Sequence, residues 1–150
     1  MMIVKRDKYT IHISDDALSI LDKYKQHKKY QNESGGIILG FVHKDNNIYI
    51  SKISEPNVLD KAFRYSFERN KKAAQIIVNS EFYESGGKVI YLGEWHTYPE
   101  PNPFPSLVDI KMIKQQYTNN KINEDFLILL IQGMESLYVG FYDGNQLVHK

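Results

Sequence analysis

"GEWHTYPEPNPFPSLVDI", residues 93–110, joins the end of an apolar strand pattern to the start of an amphipathic helix across a proline-rich loop. The strand is "KVIYLGEW" (88–95), and the loop spans 98–105. Ser106 is placed to cap a helix whose Ile110, Ile113 and Tyr117 form one apolar face. In extended chain, residues i and i+2 point the same way, so His96 and Tyr98 project together beyond the strand. Asp109, one turn into the helix, can face back across the loop toward His96, and the Ser106 hydroxyl at the same helix end can support a developing oxyanion. A water-activating zinc site needs three protein ligands and one open position. His96 and Asp109 are candidates for two of them, and the residue at the third position is a tyrosine.

On the N-terminal side of this stretch, Ile3, Tyr9, Ile11 and Ile13 fit strands of a hairpin turning near Asp7. Ser14 is the expected N-cap of a helix with Ala17, Ile20, Leu21 and Tyr24 on one face and the lysine-rich "KQHKK" at its end. "GGIILGFV" and "NIYISKIS", separated by "HKDN", predict a hairpin in the middle of a sheet. Phe63, Tyr65 and Phe67 alternate as a short strand. Residues 69–84 have helical spacing through Ala73, Ile76, Ile77, Ser80 and Glu84, with "SGG" as a glycine cap. On the C-terminal side, "FLILLIQ" and "LYVGFYDG" read as central strands, and "QLVHK" pairs after a turn at Asp143-Gly144-Asn145. Helices and strands are interspersed without repeat or linker, which predicts one α/β (α+β) domain over residues 1–150.

The composition narrows the partners. Nineteen basic residues against eighteen acidic ones leave a net charge of +1, too little to steer the chain toward nucleic acid or an anionic membrane. The absence of cysteine removes disulfides and thiolate metal sites. The first residues have no apolar core of signal-peptide length, and "FLILLI" is too short to span a bilayer, so a cytoplasmic location is expected.

Each candidate also has a plainer reading. Ser-x-x-Asp before an apolar helix resembles a capping box, Glu33 alone is an ordinary loop carboxylate, and His96 alone is a strand-end histidine. Trp95 belongs to the core. His12, His27, His43 and His149 have no partner at ligand spacing and are expected to be structural or at the surface. Glu94 and Glu100 flank the site and are alternatives to Glu33 as a base. The glycines of "SGGIILG" precede a strand, which argues for close backbone packing and against a phosphate loop.

Taken jointly, "GEWHTYPEPNPFPSLVD" (93–109) and "ESGGIILG" (33–40) resemble the JAB/MPN (JAMM) metalloproteases, whose signature is a distant glutamate, then His-x-His-Pro, then Ser-x-x-Asp. The likeness runs through "FRYSFERN" (63–70) to the strands after the helix, and is greatest to small bacterial members found with ubiquitin-like conjugation systems. It implies a mixed β-sheet flanked by helices in the cytidine-deaminase-like JAB/MPN architecture. It further implies a zinc-dependent peptidase or isopeptidase with Glu33 as general base, His96 and Asp109 as zinc ligands and Ser106 as oxyanion stabiliser. The implied substrate is a ubiquitin-like protein or its conjugate, its tail held by strand addition, with activating-enzyme-like or conjugating-enzyme-like proteins as partners. Tyr98 stands where the family has its second histidine.

Three outcomes follow for Tyr98. The phenol can turn away and leave zinc two ligands; it can bind as phenolate and make the metal a poorer Lewis acid; or it can favour a harder metal such as ferric iron. Two functions therefore compete, a JAMM-type zinc isopeptidase with activity reduced or lost through Tyr98 and a metal-free module that binds the same tail or a partner subunit without cutting it.

Overall fold

Two six-residue runs, "GGIILG" (35–40) and "LILLIQ" (127–132), are buried at every position, and a strand buried on both faces has to lie inside a sheet with layers above and below. The computed structural model describes residues 1–28 and 30–150. Among these residues the chain forms, in order, β1 (Met2–Arg6), β2 (Tyr9–Ile13), α1 (Asp15–Lys23), β3 (Gly35–His43), β4 (Asn47–Ile53), β5 (Lys61–Phe63), β6 (Ser66–Glu68), α2 (Lys71–Glu84), β7 (Ile90–Thr97), α3 (Leu107–Asn119), β8 (Leu127–Gln132), β9 (Leu137–Tyr142) and β10 (Leu147–Val148). Eight strands make one mixed sheet in the order β1-β2-β4-β3-β7-β8-β9-β10, and β5 and β6 pair separately. The β2–β4 and β7–β8 pairs are parallel and the others antiparallel. The mixed α+β architecture inferred from the sequence is the one observed.

The sheet curls around α1. Arg6 of β1 donates through Nε to the Val139 carbonyl of β9 at 2.9 Å, and the Tyr9 ring packs 5.1 Å from both Phe126 and Phe141. Inside the curl, Ile11, Ile13, Ile38, Ile50, Ile128 and Leu130 close on Ala17 and Leu21 of α1. The alternate residues point outward: Leu127, Leu129 and Ile131 meet Ile113 of α3, while Ile37 and Leu39 meet Ala74 of α2.

One irregularity in β7 positions the site. Ile38 pairs with Gly93 but Leu39 pairs with Tyr91, so Leu92 is an extra residue and the strand is bulged. The bulge keeps Leu92 and Trp95 both facing the inner core, and it puts Glu94 and His96 on the outer side with Tyr91 and Tyr98. Gly93 is required there, because a Cβ on it would lie 1.9 Å from the Ile128 carbonyl oxygen of β8.

Four local expectations need correction. The first helix stops at Lys23, before "KQHKK", because Gln26 is drawn into the interior, where its amide donates to the carbonyls of Gln31 and Arg64. Residues 61–68 fold as a hairpin with Arg64 and Tyr65 in its turn, so Phe63 and Phe67 lie on different strands. In α2 the inward face is Ala74, Ile77 and Val78, leaving Ile76 exposed. In α3 it runs through Asp109, Met112, Ile113, Gln116 and Tyr117, with Ile110 on the outside. Lys29, the last residue of "KQHKK", lies outside the described residues.

Candidate active site

The parallel pair β7–β8 is joined through α3, so the C-terminal end of β7 faces the N-terminal end of α3, where helix amides are unpaired. β7 delivers His96 and then Tyr98; α3 delivers Ser106 as its N-cap and Asp109 in its first turn. Register brings in the fifth residue. Gly35 of β3 pairs with His96, and Ser34 is tied to Thr97 by two 2.9 Å bonds, one in each direction, so Glu33 sits at the same end of the sheet. The Gln26 side chain, accepting from Thr97 Oγ1 at 2.9 Å, braces this junction.

Glu33, His96, Tyr98, Ser106 and Asp109 line one cleft of about 610 Å³, within the range of small-ligand sites. Its other wall is the β5–β6 hairpin, with Phe63 and Tyr65 exposed at 61% and 70%. The sequence contains a signal for this wall in the aromatic alternation of 63–67, but that pattern alone reads as a strand. Glu100 also lines the cleft. Glu94 does not, since Arg69 Nε donates to its Oε1 at 2.6 Å and the Tyr91 hydroxyl donates to its Oε2. Trp95 is 1% exposed and donates to the Ser54 carbonyl, as a core residue does. Of the other histidines, His12 bonds Asn47 and stacks on Tyr49, His27 and His43 are exposed and do not line the cleft, and His149 is exposed, bonded to the Tyr138 hydroxyl and packed 4.8 Å from the ring of Phe104, which lines the cleft.

The capping box expected of Ser106 and Asp109 is present. The Asp109 amide donates to Ser106 Oγ at 3.2 Å, and the Ser106 amide donates to Asp109 Oδ2 at 2.8 Å. Capping does not exhaust Asp109, because Tyr98 donates its hydroxyl proton to the same Oδ2 and lies 3.1 Å from Ser106 Oγ. His96 Nε2 is 3.1 Å from Asp109 Oδ1, but the contact lacks hydrogen-bond alignment, and this buried nitrogen has no well-directed partner among the described residues. Burial pushes the Asp109 carboxyl up, yet its interactions with His96, the Tyr98 hydroxyl and the Ser106 amide outweigh burial and hold it below the ordinary value. Tyr98 is raised, first by desolvation and then by its bond to Asp109, so it is a neutral phenol. Glu33 is 3% exposed; burial, followed by the charges of Asp109 and Glu100, pushes its carboxyl up to about 8.

These donors fall one short of a zinc site. The orphaned His96 Nε2 and Asp109 Oδ1 are suitable ligands, but the third position is a phenol whose proton is committed to Asp109. Among the described residues, no group of three His, Cys, Asp or Glu side chains is arranged to hold a metal ion. What the cleft offers as built is a neutral carboxyl at Glu33, a hydroxyl at Ser106 and an unpaired imidazole nitrogen around a space large enough for a peptide bond.

The chain resembles known proteins over most of its length. The sequence profile of prokaryotic homologs of the JAB domain matches residues 21–139. A protein of Escherichia coli named CD-NTase/cGAS isopeptidase is 34% identical over 128 residues, covering 85% of this chain and 79% of its own length. Proteins of the same name from Pseudomonas aeruginosa and Vibrio cholerae are 31% and 33% identical, covering 90% and 78% of this chain and 84% and 72% of their own lengths. The fold likeness extends to a solution structure of a Desulfitobacterium hafniense protein, with a TM-score of 0.63 at 17% identity over 93% of this chain and 89% of that one. No helix among the described residues is long and apolar enough to cross a membrane.

Proposed function

Because the chain belongs to the prokaryotic JAB-domain family, we propose that it is an isopeptidase-type protein acting on conjugates of CD-NTase-like or ubiquitin-like proteins, with turnover reduced by Tyr98. One observation carries this reading: Glu33, His96, Ser106 and Asp109 converge on a single cleft while Tyr98, in that same cleft, engages Asp109. In this reading the exposed hairpin wall holds an extended tail by strand addition, and the scissile carbonyl lies against the Ser106 hydroxyl. Glu33, in its ionised form, takes a proton from the water whose oxygen adds to the scissile carbon, and gives that proton to the departing lysine amine as the C–N bond breaks. His96 and Asp109 are the two metal ligands this chain retains.

Restoring the third ligand tests the reading. Wild type and Tyr98→His are incubated with zinc, desalted, assayed for metal by mass spectrometry and given a fluorogenic isopeptide. The histidine variant is expected to keep zinc and to cleave faster than wild type by more than about 100-fold, beyond the cost of losing an outer-shell partner. Equal zinc and equal rates in both would remove Tyr98 as the limiting residue. Cleavage by neither would favour the second reading, a binding module that holds the tail without cutting it, which the Tyr98–Asp109 bond supports. Tail binding that survives a chelator and Glu33→Ala is its signature.

A further inference from the structure

We propose that Arg69 is a positioning residue that sets how far the hairpin wall stands from His96 and Asp109; this rests on the reading of the cleft as the conjugate-binding site. β6 ends at Glu68, and the next side chain turns into the protein, where it is 15% exposed. Its guanidinium donates from Nε to Glu94 Oε1 at 2.6 Å and from Nη2 to Gln116 Oε1 at 3.2 Å. Both acceptors are themselves held: the Tyr91 hydroxyl donates to the second Glu94 oxygen, and Asn120 Nδ2 donates to Gln116 Oε1 at 2.7 Å.

The three elements meeting at this group are the three that carry the cleft. Glu94 is two residues before His96 on β7. Gln116 is two helical turns after Asp109 on the same inward face of α3. Arg69 is the residue directly after the hairpin. The hairpin has other ties: near its turn the Glu33 amide donates to the Phe63 carbonyl at 2.6 Å and Gln26 to the Arg64 carbonyl at 3.2 Å, in its middle a Cβ on Gly35 would lie 2.6 Å from the Phe67 ring, and at its base the Asn70 amide donates to Asp60 Oδ1 at 2.6 Å. The Asp60–Asn70 bond joins the two ends of the hairpin at the start of α2, whereas Arg69 joins its base to β7 and α3, the elements that carry His96 and Asp109.

Stability does not account for such a pair. Desolvation offsets most of the attraction between buried charges, and apolar side chains of similar volume hold layers together as well. What a guanidinium does that an apolar side chain cannot is fix two acceptors in set directions through a rigid fork, and a lysine at this position reaches only one of them.

The test separates position from stability. In the full chain, Arg69→Met/Glu94→Leu replaces the pair by apolar groups, and Arg69→Lys keeps the charge but loses the fork. Hydrogen exchange is followed at residues 61–68, and affinity is measured with a fluorescein-labelled CD-NTase C-terminal peptide of about ten residues, joined through its carboxylate to a lysine side-chain amine. The double variant is expected to melt within about 5 °C of wild type. Its hairpin amides should exchange about tenfold faster or more, those of β3 and β8 should not, and probe affinity should fall about tenfold, with Arg69→Lys between. Unchanged hairpin exchange in both variants overturns the proposal, as does unchanged affinity where wild type binds the probe. A double variant that unfolds beside an Arg69→Lys protein of wild-type behaviour also overturns it, by making the pair a structural support. If wild type itself does not bind the probe, the reading of the cleft fails, and hairpin exchange alone still decides whether Arg69 sets the wall.

Discussion

Leu92 and Trp95 on the inner side of β7 and Glu94 and His96 on its outer side lie within the one stretch 92–96, yet they are buried by opposite means. The inner pair is buried among apolar neighbours supplied by α1 and the curled sheet, with one polar atom, the Trp95 Nε1, satisfied by the Ser54 carbonyl. On the outer side, Glu94 is held by Arg69 and Tyr91, and Asp109 by Tyr98 and the Ser106 amide, while the His96 Nε2 has no such company among the described residues and the buried Glu33 carboxyl faces the charges of Asp109 and Glu100. The inner face is built for stability. The outer face keeps polar groups dry and incompletely satisfied, which costs stability and leaves them available for chemistry.

The sharpest way to break this division is at the bulge that creates it. Gly93→Ala places a methyl group 1.9 Å from the Ile128 carbonyl oxygen, and backbone cannot yield as a side-chain tip can. The β7–β8 pair should separate locally, with a loss of roughly 4 kcal/mol or outright unfolding, read by urea denaturation. A loss below about 1 kcal/mol would show that the bulge shifts at little cost and does not govern which residues face the site.

The second prediction concerns the price the outer face exacts in the metal-free protein. The Glu33 carboxyl titrates near 8 when folded and near its ordinary 4.5 when unfolded. Between those values the folded chain holds a proton that the unfolded chain has released, so stability falls as pH rises through this window. Glu33→Gln removes the penalty. The variant should match wild type at pH 4 and exceed it by roughly 3 kcal/mol at pH 7, with the gain levelling off above pH 8. Thermal melts across that range would decide it, and a gain independent of pH would mean that burial of the charge is not the cause.

The same division explains what was legible in the sequence. β8 announced itself because alternate residues on both faces are apolar, and the hairpin of β3 and β4 because its turn residues are characteristic. Glu33, His96, Ser106 and Asp109 were legible through their joint spacing. The inward face of α3 was not, because it runs through Asp109 and Gln116, polar residues buried by virtue of distant partners, and an apolar count substitutes Ile110 for them. The β5–β6 hairpin was missed because its turn, Arg64 and Tyr65, contains none of the usual turn formers. Arg69 meets Glu94 across 25 positions and Gln116 across 47, separations that local patterns do not encode.

The smallest expected effect lies where capping and chemistry share atoms. Ser106→Ala removes the acceptor for the Asp109 amide and should cost about 1 kcal/mol, as a lost N-cap does. Tyr98→Phe removes the proton donated to Asp109 and should cost a similar amount, about 1 kcal/mol. If the two side chains served independent purposes, these losses would add. They do not: the Tyr98 hydroxyl is 3.1 Å from Ser106 Oγ, and both residues bond Asp109, so each single change already weakens what the other supports. The double variant should therefore lose less than the sum of the singles, by roughly 0.5 kcal/mol or more in a urea-denaturation cycle. Strict additivity would mean that Ser106 only caps α3 and that Tyr98 holds Asp109 alone, which would detach the helix end from the chemistry of the cleft.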